Sequence, residues 1–182
     1  MPALLIVDFQ NDFCPGGALG VEGAAKIVLV VNDLIKRFSL VIASKDWHPA
    51  ETVHFEKWPP HCIQETEGAE FHPDLDSDKI EKVFLKGMSN KDDGYSAFEA
   101  TNENLEDYLL SKNCKQLFIC GLTTEYCVRF TALDAQEKGF KTHVFTDAIA
   151  GVNRNQGDVD NSLNEMKNHG IRLCRTDSIP AH

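Results

Sequence analysis

The sequence predicts an α/β protein of three layers, α/β/α, built on a six-stranded, mainly parallel sheet wound on both faces. Three observations carry this reading: six short β-rich apolar runs, helical periodicity between most of them, and a length of 182 residues. That length suits one domain with a full core, at about 150 residues per domain, so residues 1–182 are read as a single unit. Strands separated by helices pair in parallel through right-handed crossovers.

The elements follow in order. Ala3 to Val7 is an unbroken apolar run of buried-strand type, followed by a loop through Pro15, Gly16 and Gly17. Ile27, Val30, Val31, Leu34, Ile35 and Phe38 then recur at helical spacing. Strands are expected at Leu40–Ala43 and Lys82–Leu85, a helix around Leu105, Tyr108 and Leu109, and a fourth strand at Leu117–Cys120. A helix from about Tyr126 to Lys138 stops at Gly139, and a strand spans Lys141 to Phe145. Val159, Leu163 and Met166 mark the last helix before Gly170 and the strand Ile171 to Cys174. Between Ser44 and Ile80 there is no helical pattern, only Pro, His, Trp and acidic residues. A loop of that length inside a compact domain is more often functional than idle.

Composition narrows the partners. Asp and Glu number 28 against 18 Lys and Arg, a formal net charge of -10, and the cations form no cluster. Binding to nucleic acid rests on cations that neutralise phosphates, so neither nucleic acid nor an anionic membrane is an expected partner, and a small molecule is. Asp8 interrupts the first apolar run before it reaches the about 7–15 residues of a signal core, and no later run approaches the about 18 of a membrane span. A cytoplasmic protein is expected. Its six cysteines, Cys14, Cys62, Cys114, Cys120, Cys127 and Cys174, contain no C-x-x-C pair and read as free thiols.

In open parallel sheets the ligand crevice lies outside the carboxyl ends of the strands. There the sequence places Asp8, then Lys45–Asp46–Trp47–His48, then Lys86, then Gly121 to Cys127. Cys127 falls in the first turn of its expected helix, where free N–H groups and the helix dipole favour a thiolate and lower the thiol pKa. A carboxylate such as Asp8 can take its proton, and the Lys86 ammonium can support both anions. Taken singly, Cys127 also fits a buried small hydrophobe, Asp8 a turn carboxylate and Lys86 an exposed strand end.

Asp46 and His48 lie two apart, on one side of the chain if the backbone is extended. His54 and the run Trp58–Pro59–Pro60–His61–Cys62 follow, with two prolines stiffening the approach to His61. An Asp with two or three His suits one divalent ion such as Zn, Fe or Mn, although turn carboxylates and surface imidazoles share this spacing. His72, His143, His169 and His182 lack such company and read as structural or exposed. Other chemistries fail: six residues after Cys127 stands Leu133 rather than the Arg of a cysteine phosphatase, and no glycine spacing matches a nucleotide phosphate loop.

These residues together resemble the isochorismatase-like cysteine hydrolases, and within them the nicotinamidase/pyrazinamidase branch, over essentially the whole chain. The resemblance rests on Val7–Asp8–Phe9–Gln10–Asn11–Asp12–Phe13, Asp46–Trp47–His48–Pro49, Trp58 to Cys62, Lys86–Gly87, Tyr95–Ser96–Ala97–Phe98 and Gly121 to Val128. It implies a catalytic triad of Asp8, Lys86 and Cys127, and a divalent metal held by Asp46, His48 and His61, with His54 as a further ligand. It also implies a cis peptide at Leu122–Thr123, an oxyanion hole of the Thr123 and Cys127 N–H groups, and a substrate wall of Phe13 and Trp58 with Leu19 and Tyr95 nearby. Glu125 stands where many relatives carry Asp, and the sequence offers no account of it.

The implied reaction is hydrolysis of nicotinamide, and of pyrazinamide, to the acid and ammonia through a Cys thioester, in NAD salvage. Three alternatives remain at this point: a related amidohydrolase for carbamoyl or ureido substrates, a metal-dependent hydrolase in which Cys127 is structural, and a non-catalytic metal-binding protein. A homo-oligomer is left open. Every catalytic reading requires a sulfur, a carboxyl and an amine from distant parts of the chain to meet in one pocket.

Overall fold

The computed structural model describes residues 1–178, so His182 lies outside the described residues. Six strands form one parallel sheet: β1 (Pro2–Val7), β2 (Val41–Asp46), β3 (Lys82–Lys86), β4 (Gln116–Leu122), β5 (Lys141–Ala150) and β6 (Arg172–Cys174), in the order β3-β2-β1-β4-β5-β6. β1 lies at the centre because its side chains from Ala3 to Val7 are all apolar, and all five are fully buried. A strand covered on both faces needs such an uninterrupted run.

The two-residue alternation of β1 sends its side chains into two cores. Leu4 and Ile6 join one with Ile27, Val31 and Ile35 of α1 (Ala24–Arg37). Leu5 and Val7 join the other with Leu109 of α2 (Leu105–Ser111), Ala132 of α3 (Arg129–Glu137) and Met166 of α4 (Asp158–Asn168). One helix therefore covers one face and three cover the other, giving the three layers. Each fully buried Leu or Ile contributes roughly 1.5–3 kcal/mol relative to exposure, so the sheet is a rigid base for its loops. No helix among the described residues is long and apolar enough to cross a membrane.

The ends of β2 and β5 and the start of the helix after β4 depart furthest from the sequence expectation. β2 continues through Ser44, Lys45 and Asp46, which are polar yet buried because each finds a partner: Ser44 donates to Asp8 at 2.7 Å, Lys45 to Glu70 at 2.7 Å, and Asp46 accepts from Lys86. β5 runs on to Ala150 rather than ending at Phe145, with a register irregularity opposite Ile119 and Gly121. The helix expected from Tyr126 instead opens with a wide π-type turn, Thr124–Val128, before α3 begins at Arg129. Between β2 and β3 the chain makes three single 3-10 turns, at Val53–Glu56, Glu67–Ala69 and Ser77–Lys79.

Candidate active site

Asp8 follows β1, Asp46 ends β2, Lys86 ends β3 and Cys127 follows β4, so four neighbouring strands deliver these side chains to one edge of the sheet. Gly121 allows this closeness. At φ +112° its backbone runs against β1, and a Cβ there would lie 2.1 Å from the Val7 carbonyl oxygen. The next peptide, Leu122–Thr123, is cis.

Lys86 is the hub. Its Nζ lies 2.8 Å from Asp8 Oδ2 and 3.5 Å from Cys127 Sγ, and it donates to the Gly94 carbonyl at 2.6 Å and to Asp46 Oδ1. Asp8 and Lys86 are wholly buried and Cys127 nearly so. Burial alone would discharge the amine, but Asp46 and then Asp8 prevail and hold Lys86 charged, with its pKa well above the usual range. Burial raises the Asp8 pKa against the pull of Lys86.

Cys127 corrects an expectation. Its pKa is not lowered but pushed well above the ordinary thiol value, first by burial and then by the negative Asp8 and Asp46, with Lys86 only partly opposing. The turn-end dipole is small against the cost of an anion in so dry a place. Cys127 therefore rests as a thiol, and an attacking thiolate needs a base in contact. Asp8 is a neighbouring carboxylate: one ligating atom each of Asp8, Asp46 and Cys127 lie within 4.8 Å of one another.

Beside this group stands a histidine cluster. The extended backbone at the end of β2 turns Asp46 and His48 to the same side, while Trp47 packs against the core. The chain returns alongside: His48 N–H donates to the Cys62 carbonyl at 2.9 Å, and Cys62 N–H to Asp12 Oδ2 at 2.7 Å. That pairing sets His61 against His48. Asp46 Oδ2 faces His48 Nε2 at 3.5 Å and His61 Nε2 at 3.7 Å, and the three imidazoles of His48, His54 and His61 each bring a nitrogen within 4.8 Å of the others.

The donor set fits a divalent ion. Each ring has its Nδ1 engaged: His48 with the Gly87 carbonyl at 3.0 Å, His54 with Asp92 at 3.0 Å, and His61 with the Pro59 carbonyl at 2.8 Å. An acceptor at Nδ1 fixes the proton there and leaves the Nε2 lone pair for a metal, the usual outer-shell arrangement. His48 Nε2 is buried with no hydrogen-bonding partner among the described residues, a cost that a cation at that point would remove. Gly87, at φ +66°, is required here, since a Cβ would stand 2.5 Å from the His48 ring.

A cavity of about 220 Å3 opens above Cys127 and is lined by all four residues expected to form the wall, Phe13, Leu19, Trp58 and Tyr95, and by Thr123, His54 and His61. Phe13 packs on His61 with ring centroids 5.6 Å apart, and Trp58 stands perpendicular to Tyr126 at 5.0 Å. Sequence reasoning missed Lys57, Tyr126, Val152 and Arg154, which also line the cavity. The strand-end rule would have found Val152 and Arg154 had the fifth strand been extended to Ala150. Glu125 now has an account: buried, it accepts the Asn153 N–H at 2.5 Å and ties the Cys127 turn to the segment bearing Val152 and Arg154. Of the remaining histidines, His143 is buried and stacks on Phe118 at 4.4 Å, His72 packs edge-on against Phe9, and His169 is exposed.

The parallel α/β sheet thus gathers a thiol, an acid and an amine at its carboxyl edge. The profile of the Isochorismatase domain matches residues 2–178, and the chain belongs to that family. It is 40% identical to the nicotinamidase of Escherichia coli K12, over 94% of this chain and 93% of that one. Among solved structures it is similar to the pyrazinamidase of Pyrococcus horikoshii in complex with zinc (41% identity, TM-score 0.87, 96% and 98% of the two chains covered). It is also similar to PnC1 of L. infantum in complex with nicotinate (33% identity, TM-score 0.93, 100% and 96% covered).

Proposed function

We propose that the protein hydrolyses nicotinamide to nicotinate and ammonia, and pyrazinamide likewise, as a single-domain cytoplasmic enzyme of NAD salvage. The observation that carries the reading is the contact of the Lys86 ammonium with both the Asp8 carboxylate and the Cys127 sulfur beneath an aromatic cavity. The named activities of its relatives support the substrate.

In the first half-reaction Asp8 takes the proton of the Cys127 thiol as Sγ attacks the carboxamide carbon. Charge moves from sulfur to the carbonyl oxygen, which the Thr123 and Cys127 N–H groups receive, roughly 3–4 kcal/mol for a strong donor. Protonated Asp8 returns the proton to the amide nitrogen, the C–N bond breaks and ammonia leaves a Cys127 thioester. In the second half Asp8 takes a proton from the attacking water, the acid forms, and the proton goes back to the sulfur. Lys86 stays charged throughout and lets a buried carboxylate persist beside a developing thiolate. Phe13 and Trp58 hold the flat ring between them, with Leu19 and Tyr95 at its edge.

Asp46, His48, His61 and His54 would hold one zinc, iron or manganese ion. When bound, that ion supplies Lewis acidity toward a pyridine nitrogen or a water. The test is ammonia release from nicotinamide by purified, metal-replete protein beside its Cys127→Ala variant. Release by the wild type alone supports the reading, and equal release by both, or by neither, overturns it.

A further inference from the structure

The loop between Lys86 and Tyr95 carries a carboxylate that the chemistry above does not use. Asp92 Oδ1 lies 3.0 Å from His54 Nδ1 and accepts the Tyr95 hydroxyl at 3.1 Å, while Oδ2 receives the Lys57 ammonium. Tyr95 Oη in turn accepts the indole N–H of Trp58 at 3.1 Å. One side chain is thus joined to a proposed metal ligand on one side and, through Tyr95, to the cavity's aromatic wall on the other.

A carboxylate can only accept, so the His54 proton sits on Nδ1 and Nε2 is left to bind a metal. His54 rides on a single 3-10 turn, Val53–Glu56, rather than on a strand, and so depends more than Asp46 on side-chain contacts for its aim. The same loop braces that turn a second time, since Asn90 Oδ1 accepts the Val53 N–H at 2.8 Å.

We infer that Asp92 is a positioning residue that aims His54 at the metal and locks the Trp58–Tyr95 wall to it, so that metal affinity and substrate fit are set by one side chain. The inference rests on His54 being a ligand. Outer-shell partners of metal-bound histidines typically govern affinity by 10–100-fold.

The experiment measures Zn2+ affinity by competition with a chromophoric chelator, and KM for nicotinamide, in the wild type and in Asp92→Ala, Asp92→Asn, Tyr95→Phe and His54→Ala. Asp92→Ala is expected to weaken Zn2+ binding about tenfold or more and to raise KM. Asp92→Asn, which keeps an acceptor oxygen, should recover part of the affinity. Tyr95→Phe should raise KM and leave Zn2+ affinity unchanged. If His54→Ala binds Zn2+ like the wild type, His54 is no ligand and the reading of the metal site fails with it. If His54→Ala weakens binding while Asp92→Ala stays within twofold of the wild type, the ligand stands and the role given to Asp92 is overturned.

Discussion

Lys86 and Asp46 share a buried contact in which the ammonium holds one carboxylate oxygen while the other, Oδ2, faces His48 and His61. Asp46 therefore touches the Asp8–Lys86–Cys127 group and the histidine cluster at once. With Lys86, Asp8 and Asp46 form a chain in which one cation stands between two carboxylates, and burial makes each member depend on the others.

Asp46→Ala should therefore do more damage than His61→Ala. Both lose metal affinity, but only the first leaves Lys86 with a single counter-charge, and removing one partner of a buried pair costs about 3–5 kcal/mol. Denaturant midpoints of the two metal-free variants check this. Equal midpoints would mean that Asp46 does not sustain the triad.

Cys127→Ser and Asp8→Asn should each lower kcat by roughly 10³-fold or more, and the double variant should lose little further, because groups acting as one unit are not additive. Far-ultraviolet circular dichroism should stay unchanged in both. Independent, multiplying losses would break the coupling between thiol and base.

Removing divalent metal with a chelator should suppress ammonia release, and zinc, iron or manganese should restore it. His48→Ala and His61→Ala should resist that restoration. Full activity in protein shown by elemental analysis to be metal-free would separate the histidine cluster from catalysis.

Trp58→Ala opens one side of the cavity. KM for nicotinamide should rise about tenfold, equivalent to 1.4 kcal/mol, with a smaller change in kcat, because the ring contact is made in the ground and transition states alike. A kcat loss larger than the KM rise would assign Trp58 to the chemistry instead.

Stability should fall in acid through His143. Burial, then the charges of Arg172 and Lys141, lower its pKa from 6.5 to about 4. The unfolded chain thus binds the proton more tightly than the folded one, so the contribution is whole above about pH 6.5 and is lost as pH falls toward 4. Replacing the ring by Phe, in His143→Phe, should flatten the denaturation midpoint across that window. An identical slope in the variant would show that His143 titrates alike in both states.

Much of the fold was legible because apolar runs and helical spacing are local properties. The ends of β2 and β5 were not, because Ser44, Lys45 and Asp46 are polar, and only partners such as Asp8 and Glu70 make their burial tolerable. The same limit hid Arg154, whose place over Trp58, 5.4 Å from its ring, depends on where β5 ends. Asp92 escaped notice because its loop carries no motif, only contacts.

By itself the order of residue types decided which strands would be buried and which reactive side chains would stand at their carboxyl ends, since a strand's burial follows from its own apolar run and its direction from the helix that returns it. Tertiary structure alone decided that Lys86 reaches both Asp8 and Cys127, that Asp46 lies between Lys86 and the histidines, and that burial raises the Cys127 pKa. Ionisation in a dry site is set by every charge and dipole within a few ångströms, and those neighbours come from parts of the chain that only folding brings together.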